Sequence, residues 1–195
     1  MASIETRMTT ADVAAPSVKA PTNTAGRRQT RARPGLVLGL ACTATSIVSL
    51  DIAIVNVALP SIQRDLGVSQ DSLQWVVVAY GMLLGGFLLA GGRMTDMLGR
   101  RRILLTGLGL FTAASLEAGI AQSTGVLITA RGLQGLGGAL MTPAALSLLA
   151  AAFPEGRERN RALGIFAAVG GVAGSLGVAA SGLIAAGPGW RWAFF

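Results

Sequence analysis

Two charged residues stand inside apolar runs: Asp51 in LDIAIVNVALP, from Leu50 to Pro60, and Arg131 in LITARGLQGLGGAL, from Leu127 to Leu140. A carboxylate near the centre of a bilayer costs roughly 2.5 to 3.5 kcal/mol on insertion scales, so it reads as a proton, ion or substrate site and takes a partner. An arginine cannot escape by losing its proton; it must snorkel, face water or meet an acid. Such groups point to transport. The residues at 122 to 124 read as an external loop, which puts Arg131 in the outer half of its span and Asp51 slightly outward of the middle of its own. Their depths match, and a direct or water-bridged pair is one expectation. Glu117, near the outer end of a third span, is the competing partner, or else an acid that reaches interfacial water.

Other polar groups are placed by helical geometry. Asn56 follows Asp51 by five residues, about 140° round a helix at 100° per residue, so the two cannot share a face. It aligns instead with Thr45, Ser49 and Ile52, a stripe that reads equally as a helix contact or a cavity wall. The stretch GRMTDMLGRRRILL, Gly92 to Leu105, reads as a short loop with Asp96 and a helix-breaking Gly99 followed by three arginines. Arginines there suit a cytoplasmic anchor, but acidic residues contribute little to topology, so Asp96 needs another use. Arg100 is within reach if the segment is helical, and the carboxylate could also meet the N-terminus of a neighbouring helix.

Composition narrows the class. Hydrophobic residues make up 52% and charged residues 13% of the 195, against about 25% charge in a soluble domain; mean hydropathy is +0.60. The net charge of +7 does not form one basic face, because the basic residues fall in short clusters between apolar runs, which argues against nucleic acid. With no His and a single cysteine, Cys42, there is no zinc site of Cys and His, no disulfide and no Ser-His or Cys-His nucleophile pair, so no enzyme is expected.

The elements that must hold these groups are helices, since lipid cannot satisfy open backbone and the runs are too long for barrel strands. A crossing takes about 20 apolar residues. Spans are predicted near 36 to 60, 72 to 92, 103 to 121, 125 to 150 and 162 to 186, with a sixth starting near Trp190. Lys19, Arg27, Arg28, Arg31 and Arg33 precede the first span, Arg93 and Arg100 to Arg102 follow the second, and Arg157, Arg159 and Arg161 follow the fourth. Those twelve lie on one side against Arg64 and Arg191 on the other, which predicts a cytoplasmic N-terminus. Trp75, Trp190 and Trp192 all fall at the outer ends, where indoles favour the interface. Residues 1–34 read as a disordered basic tail whose last arginines can touch anionic lipid. ACTA at 41 to 44 looks like a cleavage site, but the apolar run continues past it, so no signal peptide is expected to be removed.

Glycine is abundant, 27 residues. Gly81 with Gly85, Gly170 with Gly174, and the series Ala173, Gly177, Ser181 repeat at four, a spacing that predicts close helix contact. GLGG at 135 to 138 lies within a span with no strand before it, which excludes a phosphate-cradling loop.

Taken in order, these segments resemble the N-terminal part of a major facilitator superfamily transporter. LDIAIVNVALP is similar to the first-span signature of its fourteen-span drug:proton antiporters, and GRMTDMLGRRR to the superfamily's loop between spans two and three, matched by Gly92, Asp96, Gly99, Arg100 and Arg101. Arg131, Gln134 and Gly135 match the fourth-span motif, whose arginine the family associates with proton coupling. Met97 stands where the loop motif has a basic residue, and the fifth-span antiporter motif is altered to Gly177-Val178 and Ser181-Gly182, without its proline. The resemblance implies an all-α membrane protein over residues 35–195, an incomplete N-terminal half-bundle. Its expected partners are the lipid bilayer, a small hydrophobic or cationic substrate and a missing C-terminal half; its expected setting is the plasma membrane. Asp51 and Arg131 would couple the proton, Asp96 with its loop would gate, and Asn56, Gln134, Gly135, Gly177 and Ser181 would line the cavity or pack helices. No cofactor is implied beyond a proton gradient. Two other readings stay open: a non-transporting membrane fragment that assembles with another transporter, and a passive metabolite facilitator.

Overall fold

The computed structural model describes residues 33–186 and 189–195. The predicted basic tail, apart from Arg33 and Pro34, lies outside the described residues. Five α-helices follow in order: α1 (Pro34–Leu66), α2 (Gln70–Leu98), α3 (Arg100–Gly119), α4 (Thr124–Ala152) and α5 (Arg157–Ala186), then a 3₁₀ turn (Trp190–Phe194) where the start of a sixth span is predicted. Among the described residues α1, α2, α4 and α5 are long and apolar enough to cross a membrane. At 20 residues α3 is about 30 Å long, the thickness of the hydrocarbon core, but it opens on three arginines.

Local chemistry sets the ends. Pro34 begins α1 in the first turn, where its missing N–H costs nothing, and Gly67 closes it in the left-handed conformation at φ 61°. Ser69 and Ser123 cap α2 and α4 by accepting from the backbone N–H of Ser72 and Val126. Two predicted boundaries are corrected. Helix α1 does not stop at Pro60 but runs through it to Leu66; the proline only withdraws the N–H that would have met the Asn56 carbonyl. The predicted loop from Gly92 is instead the last turns of α2, and Gly99 alone, at φ 97°, separates it from α3.

Helix α4 packs along α2 and α3, α1 packs along α5, and α1 also meets α4. Two apolar clusters result. One, nearer the start of α1, holds Ala41, Leu104, Phe111, Met141 and Leu149. The other, nearer its end, holds Val55, Ile62, Val76, Leu127 and Trp190. Asp51 and Arg131 lie in sequence between the two sets.

Glycine contacts are selective. A Cβ on Gly177 would lie 2.8 Å from the Ala53 side chain, and one on Gly170 3.2 Å from Thr45 Oγ1, so the predicted α5 face does pack on α1. Ala173 and Ser181 on that face are buried. Gly81, Gly85 and Gly174, by contrast, face open space. Spacing alone marks a smooth face but not whether a neighbour covers it.

Candidate functional site

Asp51 and Arg131 do meet. Arg131 Nη1 donates to Asp51 Oδ2 at 2.6 Å and to Gln134 Oε1 at 2.8 Å, and its Nε donates to the Val76 carbonyl at 3.4 Å. Gln134 sits one turn beyond Arg131 on the same face of α4. Its Nε2 donates to Asp51 Oδ1 at 3.1 Å and to Ser115 Oγ at 2.8 Å. The amide orientation follows from its neighbours: reversed, it would set an NH₂ against the guanidinium and an oxygen against the carboxylate. Groups from α1, α2, α3 and α4 therefore join a single network, two of them from α4.

Burial makes the network matter. Arg131 is 2% exposed, Gln134 0% and Asp51 9%. Two charges withdrawn from water are tolerated only when paired and hydrogen-bonded on their remaining atoms, and both oxygens of Asp51 have a donor. The Tyr80 ring closes the fourth side, with the Arg131 guanidinium 4.2 Å from its centroid. Of the paired charges only Asp51 can be neutralised by a proton, since arginine does not lose its own. The arrangement is a charge-neutral link between helices with one titratable member.

The other predicted site residues are distributed away from it. Gly135 packs on the Tyr80 backbone and Gly177 on Leu50 and Ala53, so both serve helix packing. Ser181 is buried and donates to the Val178 carbonyl of its own helix at 2.7 Å. Asn56 is exposed and donates to the Ile52 carbonyl at 2.7 Å. The stripe it belongs to is divided: Thr45 and Ser49 meet Gly170 of α5, whereas Ile52 and Asn56 face outward. Glu117 makes no salt bridge among the described residues, which removes it as Arg131's partner.

The Gly92 to Arg101 segment lies at the far end of α2 and the start of α3. Asp96, Arg100 and Arg101 are exposed. Asp96 does not pair with Arg100, because Gly99 breaks the helix that would bring them together. Gly92, Arg93 and Asp96 edge an open pocket with Leu89, Pro143 and Leu146.

Tyr80 and Ser115 are absent from the predicted site. Tyr80 carried a signal: it is the lone tyrosine, set in an apolar span, and a buried phenol usually takes a partner. A second cluster also escaped prediction. Asp65 Oδ2 accepts from Trp190 Nε1 at 3.0 Å and from Arg191 Nη1, while Arg191 Nη2 donates to the Ala121 carbonyl at 3.1 Å. This clamp joins the end of α1 to the α3–α4 connection and the 3₁₀ turn. Trp190 is thereby buried in the protein instead of turned outward, whereas Trp75 and Trp192 are exposed.

Residues 41–195 match the family model described as Major Facilitator Superfamily. The chain belongs to the Major Facilitator Superfamily. Among curated superfamily relatives it is 47% identical over 161 residues to the puromycin resistance protein pur8 of Streptomyces alboniger, covering 83% of the chain and 32% of that protein. It is 44% identical to the multidrug resistance protein Stp of Mycobacterium tuberculosis, over 76% of the chain and 28% of that protein. It is 43% identical to the cephamycin export protein CmcT of Amycolatopsis lactamdurans, over 85% of the chain and 34% of that protein. The chain thus spans about a third of the length of the relatives it matches. As a superfamily member it is a multi-pass membrane protein chain, in agreement with its apolar helices.

Proposed function

We propose that this chain is the N-terminal part of a proton-coupled exporter of hydrophobic or cationic small molecules in the plasma membrane. Its N-terminus is cytoplasmic, and a second helical half completes the substrate cavity, as in facilitators whose two halves rock about a central site. The observation that carries the reading is the buried Asp51–Arg131 pair tied through Gln134. Asp51 is the member of the pair that can take up and release a proton, and its bond to Arg131 is the one that changes when it does.

Protonation of Asp51 removes the negative charge that Arg131 Nη1 meets at 2.6 Å. Arg131 keeps the Val76 carbonyl, Gln134 and the Tyr80 ring, all on α2 and α4. The bond that weakens is the one to α1, so proton binding loosens the tie between α1 and α4 while leaving α2 and α4 joined. Coupling export to the gradient then needs a cavity that opens to opposite sides in the two states. The resistance and export functions in the relatives' names support efflux as its direction. Asn56 on the exposed face of α1 is a candidate substrate contact. Gly92, Asp96, Gly99, Arg100 and Arg101 at the inner helix ends are the proposed gate.

The test uses the full-length transporter in proteoliposomes. Asp51→Asn keeps size and polarity but fixes the neutral state: gradient-driven export should vanish while equilibrium ligand binding survives, and Asp51→Glu should retain part of the activity. Export by Asp51→Asn at the parental rate with the same gradient dependence would overturn the reading. Parental flux that is unchanged when the gradient is collapsed would favour a passive facilitator instead.

A further inference from the structure

Tyr80 is buried at 4% exposure, yet among the described residues its Oη is the one buried side-chain polar atom without a hydrogen-bond partner. Leaving a buried hydroxyl unmatched is costly, so an orphan in a functional region needs an explanation. The ring is fully used, stacked against Arg131. The hydroxyl extends past it to the bare Cα of Gly138: a Cβ built there would lie 3.1 Å from Leu84 Cδ1, 3.5 Å from Oη and 3.8 Å from Val48 Cγ2. Val48 precedes Asp51 by three residues on α1, and Gly138 follows Gln134 by four on α4. Both offsets are about one helical turn toward the end where α1 begins, which is the cytoplasmic end in the function proposed above. Helices α1, α2 and α4 all border this spot, and glycine at 138 adds no side chain of its own to it. The charged groups nearest it are Asp51 of α1 and Arg131 of α4; Glu117 of α3 lies outward of Ser115, and the charges of α5 stand in its first turns.

We propose that Tyr80 is the inward proton step of this site. Resting on the coupling role of Asp51, the inference assigns Oη as the next group on the path. Protonated Asp51 gives its proton to a bridging water, and that water passes one of its protons to Oη. Oη releases its own proton to water on the cytoplasmic side. Each oxygen along the path forms one O–H bond and breaks one, Tyr80 returns to a neutral phenol, and one proton has moved inward.

Tyr80→Phe separates the hydroxyl from the ring. In the full-length transporter it should slow gradient-driven export roughly a hundredfold, the lower end of what a positioned proton-transfer group contributes. Exchange of labelled for unlabelled substrate without a gradient needs no net proton movement and should stay at the parental rate. Export at the parental rate would overturn the proposal. So would loss of exchange together with export and a lowered unfolding temperature, which would make Tyr80 a packing residue only. Asp51→Asn run in parallel tells the two readings apart. If it keeps gradient dependence, the coupling role of Asp51 fails and this inference with it; if it loses gradient dependence while Tyr80→Phe keeps it, Tyr80 alone is excluded.

Discussion

Gly135 rests directly on the backbone of Tyr80, and that contact between α4 and α2 holds the Arg131 guanidinium 4.2 Å from the centre of the Tyr80 ring. A small residue at one position thus sets the geometry of a charge one turn away. Gly135→Ala forces a Cβ into the Tyr80 carbonyl, and overpacking of this kind costs about 1–3 kcal/mol. Thermal unfolding in detergent should show the loss. Gly81→Ala, on an open face, is the control and should be neutral or slightly stabilising.

The buried pair predicts non-additive mutations. Arg131→Gln leaves the Asp51 carboxylate without its cation, and breaking such a pair typically costs roughly 3–5 kcal/mol. The double variant Asp51→Asn with Arg131→Gln removes both charges and should recover most of that stability without recovering gradient-driven export. A double variant no more stable than Arg131→Gln would mean that charge compensation is not what holds these helices together.

The clamp at the other end of the bundle is separable from the pair. Asp65→Ala removes the acceptor shared by Trp190 and Arg191. Hydrogen exchange at residues 189 to 195 should rise while exchange around Arg131 stays as in the parent. Unchanged protection at 189 to 195 would assign their order to the apolar packing of Trp190 on Phe194 alone.

Charge bias and helix order together predict five crossings with the N-terminus inside. A phosphatase active only outside the membrane, fused after Ser123, should be active; fused after Arg102, it should be silent. Activity after Arg102 would reverse the assignment.

Much of this was legible because membrane helices announce themselves. Long apolar runs between arginine clusters located all five helices, and the cost of burying charge singled out Asp51 and Arg131. Their pairing was an open expectation, since depth can be inferred from direction along the chain but azimuth cannot. Helix ends were read less well: Pro60 is tolerated inside α1, and Gly92 to Leu98 remain helical, because a proline or glycine limits a helix only when no packing outweighs it.

The sequence by itself determined the class of the protein, an all-helical superfamily member with an acid and a guanidinium at matching depth. Local composition and hydropathy suffice for that. Only the tertiary structure decided which small residues are contacts, with Gly135 and Gly177 pressed on backbone while Gly81 and Gly85 face nothing. It also decided that Arg131 chooses Asp51 over Glu117, that Gln134 and Ser115 complete the network, and that Tyr80 carries the guanidinium on its ring. Those facts depend on how each helix is rotated about its axis. Rotation is set by the summed packing of distant segments, and no single stretch of sequence contains it.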